Sequence, residues 1–227
     1  MAQFHFVEDY QRLVDDLIAR FPIDQAMSIA VGGSFDLFGP IEAQLLADLG
    51  LKSGMTLIDL GCGSGRGAVA FSKRFEIAYL GTDIVQALLD YAASRTPPHY
   101  QFRLHRQLSV PAPDSCADMI CAFSLFTHLL QPETYLYMKD SARVLKPNGQ
   151  LVFSYLDVGQ HWNVFEDTVN EHRTNSVVHL NMFMDRTLIE HWASHIGLAV
   201  EQYISPSKPI LNGHSFGQAV CVLRKPA

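Results

Sequence analysis

Apolar residues recur at helical steps across residues 4–21, where Phe6, Tyr10, Leu13, Val14, Leu17 and Ile18 line one stripe before Pro22 breaks the pattern. The spacing predicts an amphipathic helix. A second helix is expected over residues 41–49, ended by Gly50. The stretch between them, 30–40, holds Gly32, Gly33, Phe35, Phe38, Gly39 and Pro40, and reads as a flexible loop that covers something.

From residue 55 the pattern changes. Short apolar runs at 55–60, 77–81, 100–105, 117–123 and 150–155 alternate with helical stretches at 66–74, 84–95 and 132–145. A short run without polar alternation is what a strand buried on both faces requires. Strands alternating with helices predict a parallel sheet with right-handed crossovers. Residues 157–185 interrupt the rhythm with a polar stretch rich in His and Asn. Such an insertion in a compact domain is expected to serve as a lid. A helix at 188–196 and strands at 198–205 and 216–224 follow, the two strands expected as a pair at the sheet edge.

Composition narrows the field. The 227 residues are 48% hydrophobic and 18% charged, enough for one buried core. A net charge of −6 gives no attraction to a polyanion, so nucleic acid is not an expected partner. Cys62, Cys116, Cys121 and Cys221 form no CxxC pair, which suits reduced thiols in a cytoplasmic protein. The N-terminus lacks the basic and apolar regions of a signal peptide, and no apolar run reaches the roughly 18 residues of a membrane span.

The chemistry concentrates at Asp59-Leu60-Gly61-Cys62-Gly63-Ser64-Gly65-Arg66-Gly67, where a buried strand ends in a glycine-rich turn that opens a helix. Glycines there tolerate positive φ and let a ligand approach the backbone and the free N–H groups of a helix start. Asp83, in Gly81-Thr82-Asp83, follows at about the 20-residue spacing of a ribose-binding acid. The dinucleotide fingerprint G-x-G-x-x-G is not met, because Arg66 holds its third position and Gly65 comes one residue early. Asp59 at the junction suits a ligand with an ammonium group near the turn better than a pyrophosphate. The plain alternative is a tight turn with no ligand.

With its later motifs, the sequence resembles class I S-adenosylmethionine-dependent methyltransferases of the small-molecule type. The resemblance covers residues 51–153, with a tail to 224. Residues 59–65 are similar to the family's first motif and Gly81-Thr82-Asp83 to its second. Asp118-Met119-Ile120 with Phe123-Ser124-Leu125-Phe126-Thr127-His128-Leu129 is similar to the fourth-strand motif. Arg143-Val144-Leu145-Lys146-Pro147-Asn148-Gly149-Gln150-Leu151 is similar to the helix-to-fifth-strand signature.

The resemblance implies an α/β, Rossmann-like, seven-stranded and mostly parallel sheet with helices on both faces and an antiparallel C-terminal edge strand. It implies a single domain over 1–227. Residues 1–50 would form an N-terminal lid, 51–156 the cofactor core, 157–185 a substrate lid, and 186–227 the last helix and strands. The cofactor would be S-adenosyl-L-methionine, leaving S-adenosyl-L-homocysteine. Asp59 and the turn of Gly61, Cys62, Gly63, Gly65 and Arg66 would surround its methionine part. Asp83 would hold the ribose, Ile84 the adenine face, and Phe123 and Ser124 would lie beside the methyl group. The family's acid after the third strand is missing from His105-Arg106-Gln107-Leu108, so adenine contact falls to Arg106 or Gln107. No Asn/Asp-Pro-Pro-Tyr/Phe motif follows the fourth strand, which turns the expectation from a nucleic-acid base toward a small-molecule acceptor.

His128 is the candidate general base, because an imidazole transfers protons near neutral pH. Its competing role is a structural histidine bonded to a backbone carbonyl. Phe35, Tyr155, Asp157, His161 and Trp162 are the candidate acceptor-pocket residues, against the alternative of ordinary loop positions. Cys62 reads as a small side chain facing the core rather than a redox thiol. His191 and His195 share a helix face but lack the H-E-x-x-H order, so no metal is expected. A monomer or homodimer is expected. A non-catalytic binding protein on the same fold and a nicotinamide-dependent oxidoreductase stand as alternatives.

Overall fold

The structure, a computed structural model, describes residues 7–176 and 179–227. Residues 4–6 of the first predicted helix lie outside the described residues. Its helices are α1 (Val7–Arg20), α2 (Ile23–Ala30), α3 (Phe35–Asp48), α4 (Arg66–Arg74), α5 (Gln86–Ser94), α6 (Gln131–Val144), α7 (Trp162–Thr174) and α8 (Arg186–His195). Its strands are β1 (Thr56–Leu60), β2 (Ala78–Asp83), β3 (Gln101–Leu104), β4 (Ala117–Ala122), β5 (Leu145–Asp157), β6 (Phe183–Met184), β7 (Ala199–Ile204), β8 (Pro209–Leu211), β9 (His214–Ser215) and β10 (Ala219–Arg224).

Among the described residues, the main sheet has the order β3-β2-β1-β4-β5-β10-β7. β1 to β5 are parallel, and β10 runs antiparallel between β5 and β7. This is the expected Rossmann-like sheet with its antiparallel C-terminal strand pair. Strand order reverses beside β1, and the carboxyl ends of β1, β2, β4 and β5 form the edge where such sheets bind ligands.

Side chains alternate between two buried layers, as strand geometry requires. Ile58, Leu60, Ile120, Leu151 and Phe153 pack with Tyr137 and Met138 of α6 and Ile189 of α8. Leu57, Met119, Cys121 and Val152 pack with Leu45 and Leu46 of α3 and Phe71 of α4. A smaller cluster joins Val14 of α1 and Met27 of α2 to Val85 and Leu88. The two N-terminal helices therefore rest on the ligand edge of β2 and the start of α5.

One expectation needs correction, and two stretches carry elements the pattern does not predict. Residues 30–40 are not one loop: α2 ends at Ala30 and α3 already begins at Phe35, with Pro40 inside it. Gly39 and Pro40 look like breakers, yet Gly39 serves packing, since a Cβ there would lie 2.6 Å from the Arg66 carbonyl. The polar insertion 157–185 carries α7 and β6, and β6 extends the tip of β5 through Leu156 and Phe183. A hairpin, β8–β9, fills the stretch between the last two predicted strands.

The α3–α4 contact is closed by a buried ion pair. Arg66 reaches Glu42 at 2.8 Å, with side-chain exposures of 11% and 4%. Burial pushes the Glu42 carboxyl up, and Arg66 pulls against that shift by charge and hydrogen bonding. Arg66→Met would leave Glu42 buried without its cation, at an expected cost of about 3–5 kcal/mol. Chemical denaturation should show that loss, and Glu42→Leu combined with Arg66→Met should recover most of it. A double variant as unstable as the single would refute the pairing account.

Candidate active site

The turn after β1 depends on left-handed backbone. Gly61, Gly63 and Gly65 have φ of 69°, 54° and 81°. Space is as restrictive as conformation. A Cβ on Gly63 would lie 2.5 Å from Val31, one on Gly65 2.6 Å from Ala92, and one on Gly61 3.1 Å from Leu125. The turn is thus enclosed by the end of α2, by α5 and by the segment after β4.

Asp83 ties this turn to β2. Its Oδ2 accepts the Gly63 N–H at 2.9 Å, and its Oδ1 accepts those of Ile84 at 2.7 Å and Val85 at 3.1 Å. A carboxylate has about four acceptor positions, so little capacity is left over for a further donor. Burial pushes the Asp83 carboxyl up to about 6, opposed by those three N–H groups.

Asp59 lies buried one strand away and accepts the Tyr79 hydroxyl at 2.8 Å. Burial pushes it up to about 7, with the Tyr79 hydrogen bond opposing. Cys62 is buried; its N–H donates to the Thr82 carbonyl, and a Cβ on Gly81 would lie 2.8 Å from its sulfur. Its thiol is buried. Arg66 donates to Glu42 and to the Val31 carbonyl, so its guanidinium braces α2 and α3 around the turn.

The rim of the β2 end comes from the β3 loop and α1. Arg106 donates to the Ile84 carbonyl at 3.0 Å and reaches Gln11 of α1. The Gln107 carbonyl accepts the Tyr137 hydroxyl. Tyr10 of α1 donates to the Ala30 carbonyl, and Ser64 in the turn donates to that of Met27. The N-terminal helices are fastened over the glycine turn by these bonds.

Past β4 the chain turns sharply. Phe123 is buried against Phe216, with ring centroids 5.1 Å apart. Ser124 has φ of 55°, a conformation that few residues with a Cβ adopt. A 3-10 turn, Phe126–His128, follows. His128 Nδ1 donates to the Leu180 carbonyl at 2.7 Å, and its ring meets His179 edge-on. A carbonyl only accepts, so in the neutral ring the proton sits on Nδ1 and the Nε2 lone pair remains. Crowding by neighbouring protein lowers the His128 pKa, and the Leu180 carbonyl works against that shift.

The five acceptor-pocket candidates do not converge. Phe35 lies at the start of α3 in a separate cleft with Tyr91 and Arg95. Tyr155 is 1% exposed within the core layer of Phe153, its hydroxyl 3.3 Å from Asp157, so it does not face a pocket. Asp157 is consumed by its own turn, accepting from Gly159, Gln160 and Tyr155. His161 is buried between the carbonyls of Asp157 and Gly217. Trp162 points outward at 55% exposure and donates to Glu166. Its helix instead borders a cleft of about 740 Å³ lined by Phe165, Val169, His172, Arg173, Met182 and Phe183. His195 is bonded to the His191 carbonyl of its own helix.

Sequence reasoning missed Tyr79, Glu42, Val31, Leu125, Ser154 and Gln218. Each acts on the turn or its flank from a distant element, and of the six only Leu125 lies within a sequence motif.

Residues 58–153 match the family described as methyltransferase domain. The chain is 26% identical over 113 residues to 27-O-demethylrifamycin SV methyltransferase of Amycolatopsis mediterranei, covering 48% of this chain and 41% of that protein. It is 25% identical over 158 residues to 2-methyl-6-phytyl-1,4-hydroquinone methyltransferase of Synechocystis, covering 67% and 45%. The matches thus span less than half the length of these curated relatives. Among solved structures, geranyl diphosphate C-methyltransferase from Streptomyces coelicolor, in complex with Mg2+, geranyl diphosphate and S-adenosyl-L-homocysteine, superposes with a TM-score of 0.67 at 15% identity, covering 98% of both chains.

The two raised carboxyls give a pH signature. The unfolded chain releases its Asp protons near about 3.9, whereas folded Asp83 and Asp59 release theirs at about 6 and about 7. The folded chain binds more protons in that interval. Their contribution to stability is therefore complete below the unfolded value and lost as pH rises through the folded values. The melting temperature should fall between about pH 5 and about pH 8, and fall less in Asp59→Asn. Equal falls in both proteins would show that Asp59 is not the titrating group.

Proposed function

We propose that this chain, whose residues 58–153 match a methyltransferase domain, is a class I S-adenosylmethionine-dependent enzyme that transfers the methyl group of S-adenosyl-L-methionine to a small organic acceptor. The observation that carries the reading is the glycine turn Gly61–Gly65 held against the Asp83 carboxylate at the ligand edge of the sheet. The small-molecule acceptors named for the relatives support the acceptor class.

The turn's chemistry fits the cofactor. Its glycines hold the left-handed turn close under Val31, Ala92 and Leu125, and α4 presents its N-terminus beside them. When bound, the cofactor supplies a methyl group already activated on a sulfonium. The turn from Gly61 to Gly65, with Asp59 behind it, cradles the methionine part. Asp83, with one acceptor position left, takes a single ribose hydroxyl, and Ile84 packs the adenine face. Arg106, held to the Ile84 carbonyl, and Gln107 border the adenine. Phe123 and Ser124 line the transfer position.

The protein's own task is alignment and exclusion of water. α1 and α2, bonded over the turn through Tyr10, Met27 and Val31, exclude water from the cofactor side. His128 holds its proton on Nδ1 against the Leu180 carbonyl and presents Nε2 to take the acceptor's proton, where the acceptor is a hydroxyl or a protonated amine. The acceptor enters from the side of α7 and the 157–185 insertion.

S-adenosyl-L-homocysteine should raise the melting temperature and NAD should not; a shift with NAD alone would reverse the assignment. Once radiolabelled methyl transfer to a metabolite library has found an acceptor, His128→Gln should lower turnover about 100-fold and flatten the pH–rate profile. Unchanged turnover at every pH would remove His128 as base.

A further inference from the structure

Three side chains from the tips of three adjacent strands meet beside the transfer position. Ser154, in β5, accepts the Ser124 N–H on its hydroxyl oxygen at 2.7 Å. It donates its own proton to Gln218 Oε1 at 2.6 Å, and the Ser124 hydroxyl donates to the same oxygen at 3.3 Å. Gln218 precedes β10 and is itself anchored. The preceding Gly217 donates its N–H to the Pro206 carbonyl and accepts His161 Nε2 on its own. One amide oxygen thus gathers two hydroxyls from strands that neighbour each other only in the folded sheet.

What this relay holds is not ordinary backbone. Ser124 sits in the left-handed region at φ 55°. Residues with a Cβ keep such a conformation only where the surroundings over-determine it, and they cluster at functional sites. The next residue, Leu125, lies directly on the cofactor turn, 3.1 Å from where a Cβ on Gly61 would stand. Its carbonyl accepts the His128 N–H. The torsion at Ser124 therefore sets both how Leu125 lies on Gly61 and where the His128 turn begins.

We infer that Gln218 is a positioning residue. Its amide oxygen, acting through Ser154, locks Ser124 in the left-handed turn that shapes the cofactor side of the site. The inference rests on the function proposed above. Gln218 lies far from every sequence motif of the cofactor core, 64 residues from Ser154 and 94 from Ser124.

A double-mutant cycle tests it, with S-adenosyl-L-homocysteine as the probe and calorimetry as the readout, so that no acceptor is needed. Gln218→Ala should weaken binding about tenfold, the effect of about one hydrogen bond. Glycine adopts φ 55° without help. In a Ser124→Gly background the same Gln218→Ala change should therefore cost less than about twofold, whatever Ser124→Gly does alone. Ser154→Ala should behave like Gln218→Ala in both backgrounds. Equal costs in the two backgrounds would overturn the relay, and so would a Gln218→Ala protein that loses stability but binds as the wild type does. If the wild type itself fails to bind the probe, the function proposed above falls instead. The same cycle read by thermal unfolding then still decides the relay: Gln218→Ala should lower the melting temperature with Ser at 124 and leave it nearly unchanged with Gly.

Discussion

The site depends on one buried carboxylate holding three backbone N–H groups. Asp83 binds the middle of the glycine turn and, at the same time, the first two N–H groups past its own strand. Two loops that would each be free to wander are thereby fixed to one another. An unpaired buried carboxylate would be costly, and the same three donors that reduce that cost also define the shape of the turn. Much of the surrounding structure can be understood as protecting this arrangement from water.

That protection comes in layers. α3 and α4 approach closely because Gly39 and Gly67 make room, and the Glu42–Arg66 pair locks the contact. Arg66 also holds the carbonyl of Val31, whose side chain covers Gly63. α1 and α2 complete the cover, with Val14 and Met27 packed onto the start of α5. Opposite them, Leu125 closes the other side of the turn from a strained loop.

The central α/β pattern was legible in the sequence because buried parallel strands leave unbroken apolar runs and because left-handed turns need glycine. Both signals are local. The span of α4, 66–74, was readable to the residue, and Asp83 stood out by its place at the end of the second strand and its spacing from the turn. The missed features depend on contacts formed only on folding. Pro40 and Gly39 suggested a loop, yet helix packing outweighs their propensity. Tyr155 was placed near an acceptor, although it shares the alternating face of Leu151 and Phe153 and so belongs to the core. Asp59–Tyr79 and Ser124–Ser154–Gln218 join residues that no motif connects.

The position of β10 has a consequence for how the chain comes into being. It is the last described strand in chain order, yet it fills a slot between β5 and β7 rather than adding to an edge. During synthesis the flank of β5 stays unpaired until β10 has left the ribosome, and Ser154 waits for a partner 64 residues downstream. Long-range pairing of this kind is slow and exposes a strand edge to aggregation meanwhile. The nascent chain can collapse around β1 to β4 early, but its site acquires its shape only after translation has passed Gln218.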